Sequence, residues 1–206
     1  MVQERLLNTA IDRFGRLGFD GAGTREIARA SGTAMSSITY HFGSKHGLYL
    51  ACADHIAAQI RQRQAPSLQL AADAASLSAD EATARIVAAM ERVAMMMLHE
   101  DSAAWSRFVV REQLEPTEAF ERLYKGAMKD LLAGIEALLA RIRPEYERKQ
   151  LRMLGLMIFG QALVLRAARS TVCKALEVTE LGPKEGEMLL GQLRRNILAI
   201  LTGGTE

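Results

Sequence analysis

The sequence has few cysteines and prolines, and it carries no large excess of either charge. Cys52 and Cys173 are the two cysteines among 206 residues, too far apart for a CxxC metal-binding pair and too few for a disulfide framework. Four prolines and 16 glycines exclude a fibrous or linker-rich chain. The chain has 26 lysines and arginines and 24 aspartates and glutamates. Because these charges nearly balance, composition alone does not indicate a nucleic-acid partner.

Long apolar segments are also missing. Residues 1–5 lack the apolar core of a signal peptide. The longest apolar stretch, residues 153–165, is interrupted by Gly155, Gly160 and Gln161 and is shorter than the ~18–20 residues that cross a bilayer. We therefore expect a cytoplasmic protein with no membrane partner, in which this stretch forms a buried helix.

What the sequence does contain is helical periodicity along almost its whole length. Hydrophobic residues make up 49% of the chain, which is enough for a real core. They recur at three- and four-residue spacing, and no convincing alternating run of Val, Ile and Thr is present. The predicted fold class is therefore all-α.

Turn and capping residues divide this pattern into about nine helices. Ser78 with Glu81 predicts a capping box at the start of the fifth helix. The eighth helix is predicted to run from Pro144 to about residue 173, and residues 65–79 are predicted to be a connector. The other helix starts are predicted at Thr24, Thr33, Ser44, Pro116 and Pro183.

The segment from Thr24 to Lys45 combines two short helices with a glycine-containing turn. Ala28 is small where the two helices would cross, and Gly32 can adopt the left-handed conformation that the turn requires. Ile38, together with Ile27, is placed to fill the angle between the helices. This spacing is typical of a helix-turn-helix, although an ordinary helical hairpin also satisfies it.

The continuation of this segment favours DNA binding over a plain hairpin. The second helix would expose short side chains and one aromatic hydroxyl, which suit a major groove and its phosphates. These residues are Met35, Ser36, Ser37, Thr39 and Tyr40. A helix beginning at Ser44 and Lys45 would present free N–H groups, a favourable dipole and a lysine to a phosphate.

Residues 6–50 resemble the DNA-binding domain of the TetR family of transcriptional regulators. The resemblance is carried by Thr24-Arg25-Glu26-Ile27-Ala28, by Ser31-Gly32, and by Tyr40-His41-Phe42-Gly43-Ser44-Lys45 followed by Leu48. The chain departs from the family's pattern in having Thr39 where a tyrosine is usual. The resemblance implies that the DNA contacts come from Thr24, Arg25, Met35, Ser36, Ser37, Thr39, Tyr40, His41 and Lys45.

The same resemblance implies the architecture and the role of the protein. It implies a three-helix helix-turn-helix head in residues 1–63 and a larger helical body for ligand binding and dimerisation in residues 64–206. It further implies a homodimer that represses from a palindromic double-stranded DNA operator until a small-molecule effector releases it. The sequence leaves open an activator, a dual regulator or a helical small-molecule carrier.

The charge distribution fits this division. Residues 1–63 hold eight basic and five acidic residues, a net charge of +3, whereas the remainder has a net charge of −1. A mildly basic head is what phosphate contacts require. In the body, Arg111–Thr117 with Phe120, and Gly160-Gln161 followed by Arg166, resemble the CecR-type branch of the family.

The body also offers candidates for a ligand pocket and a dimer interface. Its methionines and aromatic residues suit an adaptable cavity, although such residues are ordinarily core. The pocket candidates are Met97, Trp105, Phe108, Arg111, Met157 and Gln161. The last two predicted helices are apolar on more than one face, so their copies in a second chain would cover them. The interface candidates are Leu156, Phe159, Leu163, Leu189, Leu193 and Ile197.

The sequence shows no complete catalytic or metal-binding motif. His46, Cys52 and His55 do not make a full set of zinc ligands. We accordingly expect no enzymatic activity, no cofactor and no metal site.

Overall fold

The computed structural model describes residues 2–67 and 73–203, and every regular element in these two ranges is helical. This confirms the predicted all-α class. The helices are α1 (Val2–Gly21), α2 (Thr24–Ala30), α3 (Met35–Phe42), α4 (Lys45–Arg63), α5 (Ala79–Leu98), α6 (Ser102–Leu114), α7 (Glu118–Leu123), α8 (Lys129–Ile142), α9 (Arg148–Ala167), α10 (Arg169–Ala175) and α11 (Pro183–Thr202).

The helix count differs slightly from the prediction of about nine. A π-helical turn (Tyr124–Met128) joins α7 to α8 without a break, so the described ranges hold ten separate α-helical segments beside two short 3₁₀ helices, Ala65–Ser67 and Ala74–Ser76. The extra helix arises because the eighth predicted helix divides at Ala168 into α9 and α10, which are bent by 82°. Part of the predicted connector, residues 68–72, lies outside the described residues.

The predicted helix starts are partly right. Ser78 and Glu81 form the expected capping box, because Ser78 N donates to Glu81 Oε2 at 2.8 Å and Glu81 N donates to Ser78 Oγ at 3.2 Å. The capping roles predicted for Thr24 and Thr33 are wrong. Gly23 and Ala34 precede α2 and α3 with extended backbones, and neither helix start has a side-chain cap.

The proline-based starts were also only partly right. Pro183 is the first residue of α11, as predicted. In contrast, α9 starts four residues after Pro144, where Glu147 N donates to Gln150 Oε1 at 2.8 Å. Thr117 rather than Pro116 caps α7, since its hydroxyl accepts from Ala119 N at 3.1 Å. A proline next to a turn therefore located these starts only to within a few residues.

One compact unit comprises residues 2–62 and 101–128. Here α1 packs against α2 and α6, and α2 packs against α3. The largest fully buried side chains of this unit are Phe14, Phe108, Leu6, Ile27, Leu48, Ile56 and Leu123. Thus α6 and α7, which the sequence assigns to the body, pack with the helices of the head. The functional boundary after residue 63 stays a prediction.

The second compact unit comprises residues 63–100 and 129–203. Its centre is α5, which packs against α8, α9 and α11. The interior of this unit is formed by Ile86, Met90, Ile135, Leu138, Leu139, Ile158 and Ile197. The unit is therefore a helical bundle with an apolar core of its own.

No single helix in the described ranges is long and apolar enough to cross a membrane. Taken together, α9 and α10 pass such a test of length and composition, but they form a sharply bent pair. Within its unit, α9 buries Leu151, Ile158 and Leu165 along one face.

Candidate DNA-binding surface and ligand cleft

The two helices of the helix-turn-helix, α2 and α3, cross at the residues that were predicted to lie between them. Ile27 and Ile38 are buried where α2 meets α3, and Ala28 is buried beside them. Gly32 has a φ of +64°, the left-handed conformation predicted for the turn. These positions confirm the predicted helix-turn-helix geometry.

Hydrogen bonds within the turn fix the angle between α2 and α3. The Ser31 hydroxyl donates to the carbonyl of Ala28 at 2.9 Å, and the Thr33 backbone N–H donates to the same carbonyl at 2.9 Å. The Thr33 hydroxyl lies 3.0 Å from that of Ser31. Thr33 therefore stabilises the turn, which is why it does not cap α3.

The predicted recognition residues of α3 lie on an exposed face. Met35, Ser36, Thr39 and Tyr40 are all exposed, and 85% of the surface of Tyr40 is accessible. Ser37 is half-buried. Because positions four residues apart lie on the same side of a helix, Met35 and Thr39 share one face, as do Ser36 and Tyr40. The predicted recognition side chains are therefore accessible.

The remaining predicted contacts flank this face. Arg25 is exposed near the start of α2, and Thr24 beside it is half-buried. His41 is exposed, and its ring packs edge-on against Tyr40 at 4.9 Å between centroids. The exposure of His41 leaves it accessible to DNA, as its predicted role as a DNA contact requires.

The start of α4 holds a lysine in a defined position. Lys45 Nζ lies 4.8 Å from the centre of the Phe19 ring and donates to the carbonyl of Asp20 at 3.3 Å. The Ser44 hydroxyl accepts from the N–H of Gly47 at 3.0 Å, which confirms the predicted cap. A Cβ on Gly47 would collide with the carbonyl oxygen of Phe42. Neither Phe19 nor Gly47 was predicted from the sequence, because the role of each depends on a contact with another segment of the chain.

The C-terminal end of α6 contacts two helices of the head. The Arg111 guanidinium lies against Gly18 at the kink of α1, where a Cβ would come within 3.1 Å of Nη1. The neighbouring Glu112 is only 1% exposed and accepts three hydrogen bonds. Its donors are the Tyr49 hydroxyl of α4 at 2.5 Å, the Thr117 N–H at 3.0 Å and the Thr117 hydroxyl at 2.9 Å.

Tyr49 is the centre of an aromatic cluster around this carboxylate. Its ring lies 4.9 Å from Phe14, 5.2 Å from Phe19 and 4.7 Å from Phe108. Burial, reinforced by the hydrogen bond to Glu112, raises the pKa of Tyr49 well above its ordinary value. Tyr49 therefore stays a neutral donor over the physiological pH range.

A cleft of about 450 Å³ opens beside these residues, within the first compact unit. Such a volume lies within the roughly 300–1,000 Å³ that is common for small-molecule sites. Its walls come from α1, α4, α6 and the start of α7. They are Leu17, Gly18, Phe19, Asp20, His46, Tyr49, Arg111, Glu112, Glu115 and Thr117.

The structure separates the six pocket candidates. Arg111 lines this cleft and the other five do not. Trp105 and Phe108 are buried in the core of the first unit, and Met97 is buried in that of the second. Met157 is 69% exposed, and Gln161 accepts a hydrogen bond from Asn196 at 3.2 Å. Arg111 is therefore the pocket candidate that lines this cleft, and a pocket role for the other five stays a prediction.

The candidates for the dimer interface also differ in how exposed they are. Leu156 and Leu163 are exposed on α9, whereas Phe159 and Leu189 are half-buried. Leu193 and Ile197 are buried in the core of their own unit, so we remove them from the predicted interface. Within this unit α11 packs against α5 and α9, which accounts for the burial of both residues. The exposed apolar side chains on the two helices are Met153, Leu156, Met157, Leu163, Val164, Met188 and Leu198.

Two family models match this sequence. Residues 6–52 match the model described as bacterial regulatory proteins of the tetR family. Residues 82–204 match the C-terminal domain of the HTH-type transcriptional dual regulator CecR. The CecR protein of Shigella flexneri is 30% identical over 206 residues, which cover 98% of this chain and 92% of that protein.

Solved structures share the fold at low sequence identity. A TetR-family transcriptional regulator from Mesorhizobium loti is 14% identical, with a TM-score of 0.65 over 98% of this chain and 95% of that one. The regulator FadR from Bacillus subtilis, solved with stearoyl-CoA, is 13% identical, with a TM-score of 0.61 over 98% of both chains.

Proposed function

We propose that this chain, which belongs to the TetR family and its CecR branch and is a ligand-responsive DNA-binding regulator, represses transcription from a palindromic operator. A small-molecule effector would release it. The observation that carries the proposal is the exposed face of α3 held by the buried Ile27–Ala28–Ile38 contact. The known relatives are transcriptional regulators, so we expect no enzymatic activity and a cytoplasmic location.

The DNA contacts divide into two kinds. The exposed Met35, Ser36 and Thr39 side chains suit base edges in the major groove, where hydroxyls bond to bases and apolar groups touch thymine methyls. Lys45 and Tyr40 suit phosphates, because one supplies a held cation and the other an exposed hydroxyl. Base contacts would set the operator sequence, and phosphate contacts would set the register.

A homodimer would supply the second head that a palindrome requires. The exposed apolar face of α9, with Leu156, Met157 and Leu163, is a surface that water-soluble proteins usually cover. Paired through this face, two heads would read half-sites about 34–36 Å apart, one turn of DNA. The effector must bind the released state more tightly than the operator-bound state.

Selection of bound genomic fragments tests the proposed function. Purified protein should enrich a fragment with an inverted repeat that overlaps a promoter, and loss of the gene should raise transcription from it. A variant with Ser36→Ala and Thr39→Ala should lose the selected fragment while remaining folded. Enrichment of no fragment would contradict the proposal and would favour a small-molecule carrier.

A dual regulator is the second candidate, because the matched family model and the Shigella flexneri relative both carry that description. The two candidates differ in where the operators lie. A repressor occupies sites that overlap promoters, whereas a dual regulator also occupies upstream sites whose genes lose expression when the regulator is removed. Reporter fusions to each selected fragment separate the two.

A further inference from the structure

We propose that the cleft beside the C-terminal end of α6 binds a small aromatic carboxylate, with Arg111 as the residue that holds the carboxylate. The proposal rests on the ligand-responsive function and deepens it, since it names a site and a ligand class. The site lies among α1, α4 and α6, and Arg111 is the pocket candidate from the sequence that lines it.

Arg111 has a buried donor that lacks an acceptor. Its side chain is half-buried, and its buried Nε has no hydrogen-bond partner among residues 2–67 and 73–203. Burying a charged donor without an acceptor is unfavourable. A guanidinium presents paired N–H groups that match both oxygens of a carboxylate, so a carboxylate is the acceptor that best completes this site.

The surroundings of Arg111 suit an aromatic ligand. Gly18 is fixed in a conformation with φ of +76°, and its missing side chain leaves room for the guanidinium. Leu17, Phe19 and Tyr49 give the cleft apolar and aromatic walls. Aromatic rings pack well against such walls, which is why the ligand's body is assigned as aromatic.

The other charges of the cleft are consistent with one anionic group. Glu112 already accepts three hydrogen bonds, so its carboxylate offers little to a cationic ligand. Asp20, Glu115 and His46 are exposed, where solvent and salt screen them. Arg111 is the one arginine or lysine among the lining residues that the structure describes, so the cleft matches a single carboxylate.

A ligand in this cleft would lie beside the hydrogen bond that links α4 to α6. Tyr49, which lines the cleft, stands one helical turn after Lys45 on α4. A ligand that displaces the Tyr49 hydroxyl from Glu112 would therefore act on the helix that starts with a proposed phosphate contact. Binding at this site and release from DNA would then be linked.

Calorimetric titration of the full-length protein without DNA tests the site. The probes are 2-naphthoate, the neutral 2-naphthamide and the cationic 2-naphthylmethylammonium. The naphthoate should bind saturably and at least about tenfold more tightly than the amide, the factor expected for a charge-assisted pair. Arg111→Gln should abolish this preference.

Arg107→Gln is the matched control, because Arg107 lies on the same helix, outside the cleft, and pairs with Asp12 at 2.9 Å. It should keep the preference for naphthoate. Both variants should first be shown to be folded by circular dichroism and thermal melting. Tighter binding of the cation, equal binding by Arg111→Gln, or no saturable binding of naphthoate would overturn the proposal.

The result is independent of the test of the proposed function. Fragment selection without any ligand measures DNA recognition, whereas the titration measures the cleft alone. If naphthoate binding depends on Arg111 but the protein enriches no DNA fragment, the proposed site would be supported and the proposed repressor function would be refuted. If the protein enriches a DNA fragment but naphthoate binding does not depend on Arg111, the repressor function would be supported and this site would be refuted.

Discussion

The Tyr49 hydroxyl donates a 2.5 Å hydrogen bond to Glu112 Oε1, and this bond connects a helix of the DNA-binding head to the C-terminal end of α6. The two residues are 63 positions apart. Glu112 also accepts from Thr117, the residue that caps α7. One buried carboxylate therefore joins three helices of the first unit.

Tyr49→Phe should destabilise the protein by about 1–3 kcal/mol, because it leaves the buried Glu112 carboxylate short of a donor. Urea unfolding at neutral pH measures the change in the free energy of unfolding. Tyr40→Phe is the matched control, since it removes the same hydroxyl from an exposed ring, and it should change stability little. Equal effects of the two variants would contradict the role given to Tyr49.

The stability should also fall at alkaline pH. The pKa of Tyr49 is raised in the folded state, so above about pH 10 the unfolded chain loses this proton while the folded protein keeps it. The contribution is fully present below pH 10 and declines above it, by up to about 1.4 kcal/mol per pH unit for one proton.

Tyr49→Phe should reduce this alkaline decline. Part of the decline should remain, because burial also raises the pKa of the Cys52 thiol. Unfolding curves measured from pH 8 to 11 test the expectation. An identical slope in the wild type and in Tyr49→Phe would refute it.

Gly18→Ala should destabilise the protein by about 1–3 kcal/mol, because alanine is strained at a positive φ and its Cβ would press on the Arg111 guanidinium. Gly186→Ala serves as a comparison. Gly186 lies inside α11, where a Cβ would make only ordinary contact with Leu98. That change should be neutral or stabilising by up to about 1 kcal/mol, since alanine favours helices. The difference in melting temperature between the two variants measures the contribution of the kink.

Lys45→Ala and Tyr40→Phe should weaken operator binding in different ways. Loss of the lysine should lower the salt dependence of the binding constant by about 0.9 in the log–log slope for each head, or about 1.8 for a dimer, because each head loses one phosphate contact. Loss of the hydroxyl should lower affinity without changing that slope. Lys149→Ala, an equal loss of charge on α9, should leave both quantities unchanged. Fluorescence anisotropy across a salt series distinguishes these outcomes.

Met157→Asp should convert the proposed dimer to a monomer, because it places a charge at the most exposed apolar position of α9. Analytical ultracentrifugation at micromolar concentration gives the mass. Leu114→Asp, at an exposed leucine of α6, should remain dimeric. A wild-type monomer, or a dimer that tolerates Met157→Asp, would contradict the assignment of this face.

The helix-turn-helix was predictable because its determinants are local. The spacing of Ala28, Gly32 and Ile38 lies within one short segment, and each residue type has a direct conformational reason to be there. Periodicity likewise indicated the all-α class. The sequence could not show that Leu193 and Ile197 are buried within their own unit, because an apolar stripe reveals a buried face but not the surface that covers it.

The cleft could not be predicted from the sequence for a related reason. Arg111 was predicted as a pocket residue, but 93 positions separate it from Gly18, the residue against which its guanidinium lies. Nothing in the local pattern of either segment predicts that contact. The same holds for Tyr49, whose apolar neighbours suggest only a core residue until Glu112 is placed beside it.

Nuclease footprinting on a fragment selected from the genome tests the central claim most directly. We predict a protected inverted repeat whose half-sites are centred about one helical turn apart, with protection lost in the Ser36→Ala, Thr39→Ala variant. Protection without an inverted repeat, or protection that the double variant retains, would contradict the proposal that this chain reads a palindromic operator through α3.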